Sequence, residues 1–244
     1  MRLRLTLEYD GTGFRGWAAQ PGLRTVEGEL RRALGELFDA VSSLAVAGRT
    51  DSGVHATGQV ASVDVEGGPP PARAAEALNT ALPDDVSVVD AVEAAPDFHA
   101  RHSAVSRAYR YRIFRRRAPS PFEARRSWWL PRRLDPEALQ RSADLLLGEH
   151  DFRAFTPTET QHEVFRRVVL MARWFERGDH LDFEIEADSF LRHMVRTLVG
   201  TQVDHPPERV AALLGGAERS EAGRTAPPWG LYLERVSYPD PSGV

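Results

Sequence analysis

The sequence contains no cysteine and no lysine. The first absence excludes disulfides, thiolate metal sites and a cysteine nucleophile. The second makes each of the 31 basic residues an arginine. No stretch approaches the ~20 consecutive apolar residues of a membrane-spanning helix. No G-x-S-x-G elbow supports a serine hydrolase. His55 and His193 lack the H-x-x-x-H or carboxylate spacing of a zinc site, so no metal is expected. Residues Met1–Tyr9 alternate polar and apolar, which reads as a strand and not a secretory signal. The expectation is a soluble, cytoplasmic protein without a membrane partner.

What is present is enough for a packed core. Of 244 residues, 42% are hydrophobic and 27% charged, which suits one large domain or two smaller ones. The net charge of -4 speaks mildly against a nucleic-acid partner, but distribution matters more than the sum. Arginines crowd between Arg101 and Arg133, interleaved with Tyr109, Tyr111, Phe114, Trp128 and Trp129. Two readings fit: a solvated strand face, or a surface that binds phosphates and stacks on bases.

The patterning predicts an α+β protein of two β-α-β-type halves, with antiparallel or mixed sheets flanked by helices. Leu3, Leu5, Leu7 and Tyr9 mark a first strand with one buried face. Residues Asp10–Trp17 form a glycine-rich loop carrying Arg15. A helix capped by Thr25 buries Val26, Leu30, Ala33, Leu34, Leu37 and Phe38. Strands are expected over 44–47, 59–65 and 86–92, with a helix over 72–82. The second half repeats this grammar. A strand is expected over 107–114, then a helix from Asp135-Pro136 to Gly148 and a hairpin around Gly178-Asp179. Helices over 190–201 and 208–214 and a last strand over 230–238 complete it. The boundary near 100–106 gives halves 1–104 and 105–244.

Two positions invite chemistry. Gly48-Arg49-Thr50-Asp51-Ser52-Gly53-Val54-His55 follows a short apolar run and reads as a strand entering a tight loop. Glycine permits close approach of a backbone or flat ligand, so Asp51 is either a brace within a turn or a carboxylate offered to a cleft. Arg49 beside it can bind phosphate or favour the ionised acid. In the second half, Leu191–Gly200 has helical apolar spacing, placing Arg196 near His193 by their i, i+3 relation. As residues alone, Arg196 is either a surface arginine or a partner for an acid.

These segments, taken in order, resemble the TruA family of tRNA pseudouridine synthases. The resemblance rests on Tyr9-Asp10-Gly11-Thr12 through Gly16-Trp17, Gly48-Arg49-Thr50-Asp51-x-Gly53-Val54-His55, and Phe98-His99-Ala100-Arg101 with Arg107-x-Tyr109-Arg110-Tyr111. His193-Met194-Val195-Arg196 and Gly230-Leu231-Tyr232-Leu233 continue it, so that it covers essentially the whole chain. It implies the pseudouridine synthase fold and an isomerase that turns uridine into pseudouridine at positions 38, 39 and 40 of the tRNA anticodon stem-loop. It further implies a homodimer with no cofactor and no metal.

By the same resemblance Asp51 is the essential carboxylate, Arg196 the arginine paired with it, and Tyr109 the ring against the target base. Arg49 helps displace the base and Leu231 lines the uracil pocket. Arg15, Arg107 and Arg110 join the RNA-binding set. The chain departs from the family at Ala18, where glutamine is usual, and at Thr197, where asparagine is common. It also departs in a shortened segment after Gly200. Two further readings stand beside the isomerase. One is a non-catalytic RNA-binding module. The other is an aspartate-dependent glycosidase, which needs a second carboxylate, and Asp10 is the candidate in the motif loops.

Overall fold

The computed structural model describes residues 1–160 and 162–239 and divides the chain into two compact units. The first comprises Met1–Arg107 with the last strand from Leu233 onward, and the second Ala108–Tyr232. Among the described residues, no helix is long and apolar enough to cross a membrane.

The first unit runs β1 (Arg2–Tyr9), α1 (Val26–Leu37), β2 (Ala40–Val46), β3 (His55–Glu66), α2 (Pro71–Ala81) and β4 (Val86–Glu93). The spatial order is β4-β1-β3, with β2 on the far side of β3, and these pairs are all antiparallel. This is the split β-α-β arrangement, with each helix joining strands separated by a third. Leu3, Leu5 and Leu7 are fully buried and Tyr9 nearly so, facing Leu30, Leu34 and Leu78 in the core layer. Thr25 Oγ1 caps α1 by accepting from Gly28 N at 3.2 Å.

β3 departs from simple alternation. It begins at His55, earlier than the pattern suggests, and Gln59, Val60, Ala61, Ser62 and Val63 are all buried. The reason is a second covering layer, the segment 96–101, which lies over the face away from the helices. Ser62 Oγ accepts from Ala100 N at 3.1 Å. Arg2 donates to Pro96 O and Phe98 O at 2.6 and 3.0 Å while its guanidinium clasps Asp64 at 2.7 and 2.6 Å.

In the second unit follow β5 (Ser106–Phe114), β6 (Trp128–Trp129), α3 (Pro136–Asp144), β7 (Gly148–Asp151), β8 (Arg166–Arg177) and β9 (His180–Ala187). Then come α4 (Met194–Asp204), α5 (Pro207–Leu213) and β10 (Leu231–Ser237), the last passing into the first unit at Leu233. The order β5-β9-β8 repeats β1-β3-β2, with β7 added at the edge and β6 parallel to β5. The sheet is therefore mixed, as expected of an α+β protein.

Two helix boundaries differ from the pattern. α3 stops at Asp144, so Gly148 (φ 90°) opens a short strand instead of closing the helix. α4 starts at Met194 because His193 sits in the left-handed region at φ 61°, and Phe190–His193 stay outside it. The segment after Gly200, read as shortened, is the last turn of α4, which reaches α5 through His205 and Pro206.

The Arg2 hydrogen bonds hold the Asp64 carboxyl below its ordinary range. A depressed folded value means the stabilisation is complete above the unfolded value, about pH 4, and is lost as pH falls through the folded one. Asp64→Asn should therefore be less stable than the parent at pH 7, with the gap closing below about pH 4. Urea denaturation at pH 7, 5 and 3 measures it, and a gap independent of pH would contradict the pairing.

Candidate active site

The aspartate loop of the first unit lies between β2 and β3, and its backbone is held at several residues. Ala47 N donates to Val60 O at 2.9 Å, Trp17 N to Thr50 O at 3.0 Å, and Val54 N to Asp51 O at 3.1 Å. Ser52 Oγ donates to Phe14 O at 3.1 Å. Beneath the loop, Gln59 Nε2 donates to Gly48 O at 2.7 Å and to Tyr9 Oη at 3.3 Å. Tyr9 Oη lies 2.7 Å from Thr50 Oγ1. Either hydroxyl can supply the proton of this bond, since each both donates and accepts. Burial pushes the Tyr9 phenol up to about 12, so it keeps its proton at neutral pH.

Two glycines let the Asp10–Trp17 loop press against this one. A Cβ on Gly11 would stand 2.0 Å from Val54 O, and one on Gly16, whose φ is 93°, would stand 2.9 Å from Thr50 O. Gly11 N lies 3.0 Å from Nδ1 of the buried His55 ring. Asp10 caps its own turn, accepting from Thr12 N at 3.0 Å, and sits 3.2 Å from His55 Nδ1. On this platform Thr50 is buried, Asp51 half-buried and Ser52 exposed. Arg49 and Arg15 are exposed, and their side chains make no ion pair or hydrogen bond among the described residues.

Arg107, expected in the RNA-binding set, is the second residue of β5. It is buried, and its guanidinium is committed to backbone carbonyls: Ala47 at 3.0 and 3.3 Å, Arg101 at 2.7 Å and Ala104 at 3.3 Å. It thus ties the segment 98–101 to the start of the aspartate loop. That segment is held again by Tyr238, whose hydroxyl donates to Ala100 O at 2.8 Å and whose ring packs 5.0 Å from Phe98.

In the second unit, Tyr109 and Tyr111 share β5. Tyr111 is a core residue: fully buried, its hydroxyl donates to Pro227 O at 2.8 Å, and burial pushes its phenol well up. Tyr109 is 8% exposed and meets Phe190 edge-on, ring centres 5.0 Å apart. Arg196, half-buried on α4, donates from Nε to Ala226 O at 2.8 Å, while Ala226 N donates back to Arg196 O at 3.0 Å. α4 and the segment 223–226 touch backbone to backbone, since a Cβ on Gly200 would stand 1.9 Å from Arg224 O. Thr197 joins this seam through Thr225 Oγ1 at 3.2 Å. Leu231, buried, opens β10 after a turn at Pro228–Gly230. Arg110 lies 3.8 Å from buried Asp182 and 5.8 Å over the Tyr232 ring.

The residues that sequence reasoning missed are those under the loop. Gln59 carried a signal, a polar residue inside an otherwise apolar strand. Thr50 lay inside a motif without any mark of its own.

A family model described as tRNA pseudouridine synthase matches residues 6–103 and 142–239. The chain is similar to proteins named tRNA pseudouridine synthase A from three bacteria. The Moorella thermoacetica protein is 44% identical, over 97% of this chain and 99% of the relative. That of Myxococcus xanthus is 45% identical over 98% and 92%, and that of Thermus thermophilus 46% identical over 98% and 97%.

Arg107→Ala takes its donor from the buried Ala47 carbonyl and from the part-buried carbonyls of Arg101 and Ala104, and should cost about 1–3 kcal/mol in a denaturant titration, with the salt dependence of RNA binding unchanged. Unchanged stability with a shallower salt dependence would instead make Arg107 a phosphate contact.

Proposed function

Because this chain belongs to the tRNA pseudouridine synthase family, we propose that it isomerises uridine at positions 38, 39 and 40 of the tRNA anticodon stem-loop, with Asp51 as the attacking carboxylate. The chain is an isomerase acting on tRNA. The observation that carries the finer reading is the half-buried Asp51 carboxylate on a loop whose backbone is anchored on both sides of it. A nucleophile must be ionised and held in place.

The reaction consumes nothing. The bond between uracil N1 and ribose C1′ breaks, the base turns, and C5 bonds to C1′; the proton leaving C5 is balanced by one gained at N1. Attack at C1′, attack at C6 and a glycal route all share these bond changes. Asp51 is assigned the first step in the family's pattern, and Arg196 the cation paired with it. Tyr109 is assigned the face of the target base, where stacking is worth about 1–3 kcal/mol, and the C5 proton step. Arg49 displaces the base from its stack, which costs a few kcal/mol. Leu231 gives the uracil an apolar wall. Arg15 and Arg110 contact the RNA, whose A-form stem is read by shape and phosphates. We assign the protein to the cytoplasm as a homodimer.

Unmodified tRNA incubated with the protein should give carbodiimide-dependent primer-extension stops at 38, 39 and 40. Asp51→Asn should abolish them while tRNA binding persists, and Arg196→Ala should lower kcat by about 100-fold or more. Stops that survive in Asp51→Asn would overturn the assignment.

A further inference from the structure

None of the residues assigned catalytic roles lines a cleft of about 340 Å³ in the second unit. Arg115, Arg116, Arg132 and Arg133 line it, with Gly178 and Asp179 of the β8–β9 turn. Three of the four guanidinia are held by neighbours. Arg115 donates to Glu176 at 2.6 Å, and its main-chain N–H to Asp179 O at 2.8 Å. Arg116 donates to Ala118 O and Pro119 O, both at 3.2 Å, and lies 5.2 Å over the Phe114 ring. Arg132 donates to Asp204 at 2.6 Å and Val203 O at 2.7 Å. Arg133 is exposed, and its side chain has no ion pair or hydrogen bond among the described residues.

A guanidinium carries five N–H donors, and these contacts use only some of them. Glu176 and Asp204 offset Arg115 and Arg132, but no acid within the described residues pairs with Arg116 or Arg133. The cleft is thus cationic, partly pre-organised and opposed by one lining carboxylate, Asp179. Planar forks of this kind match the oxygens of a phosphate. Trp129, 44% exposed and tied through Nε1 to Arg116 O at 3.0 Å, adds a flat ring next to that arginine.

We propose that this cleft binds the phosphodiester backbone of the RNA, through Arg116 and Arg133, with Asp179 limiting the affinity. The proposal rests on the reading that the substrate is RNA. It separates these two arginines from the many that serve the fold.

The experiment titrates unmodified tRNA against the full chain at several KCl concentrations. The Arg116→Ala/Arg133→Ala double variant should raise Kd about 10-fold and lower the slope of log Kd against log salt by about 1–2. Asp179→Asn should bind about 2- to 5-fold more tightly, and kcat at saturating tRNA should not move in either. If the double variant fails to fold, Arg133→Ala alone, whose side chain makes no ion pair or hydrogen bond among the described residues, should lower the slope by about 1. A slope equal to the parent's overturns the proposal whatever the Kd, as does a parent that does not bind tRNA. Binding is read without turnover. A protein that passes here and forms no pseudouridine would contradict the isomerase reading alone, and the reverse result would contradict the cleft alone.

Discussion

Thr50 is the point on which the aspartate loop depends. Its carbonyl accepts from Trp17 N at 3.0 Å, its hydroxyl meets Tyr9 Oη at 2.7 Å, and Gly16 leaves room for both. These partners come from two parts of the unit, a core strand and a glycine turn. The bulge that shifts the β1–β3 register between Leu7 and Tyr9 belongs to the same design. It brings the Tyr9 side chain under Thr50 after three strictly alternating leucines. A carboxylate next in sequence to such a clamp has little freedom of backbone position, which is what a displacement at a sugar or base carbon requires.

An all-arginine basic complement explains how an acidic chain can meet RNA. Arginine's rigid fork lets it act as an internal strut where lysine's single ammonium could not span several carbonyls. Arg107 and Arg2 do this, each joining the segment 96–101 to the sheet. Arg24 and Arg32 make ion pairs with Asp85, Glu29 and Glu36 on the surface, which are worth little to stability. Arg15, Arg49 and Arg133 are left exposed without such partners among the described residues. Net charge therefore misleads: many arginines are neutralised locally, and a few remain available to phosphates.

Much of the fold was legible from pattern alone. The leucine alternation of β1, the Thr25 cap and the Gly178-Asp179 hairpin follow local rules that tertiary packing did not override. Two of the failures share one cause, long-range contact. β3 reads as half-exposed until the segment 96–101 covers it, and Arg107 reads as a surface cation until Ala47, Ala104 and Arg101 claim its donors. The start of α4 was misread because His193 adopts a left-handed conformation that its side chain does not announce. Asp51, Tyr109, Arg196 and Leu231 are proposed from ordered motifs, whereas Gln59 and Thr50, which hold the platform, act through contacts that no spacing reveals.

The central claim is that the clamp on Thr50 serves the chemistry and not only the fold. A double-mutant cycle of Tyr9→Phe and Thr50→Val, read as kcat for pseudouridine formation at saturating tRNA, tests it most directly. The account predicts that each change lowers kcat up to about 10-fold, with KM unmoved and the double variant no worse than Tyr9→Phe alone, which removes the shared hydrogen bond and the one from Gln59. Variants that lose stability yet keep the parent's kcat would contradict it.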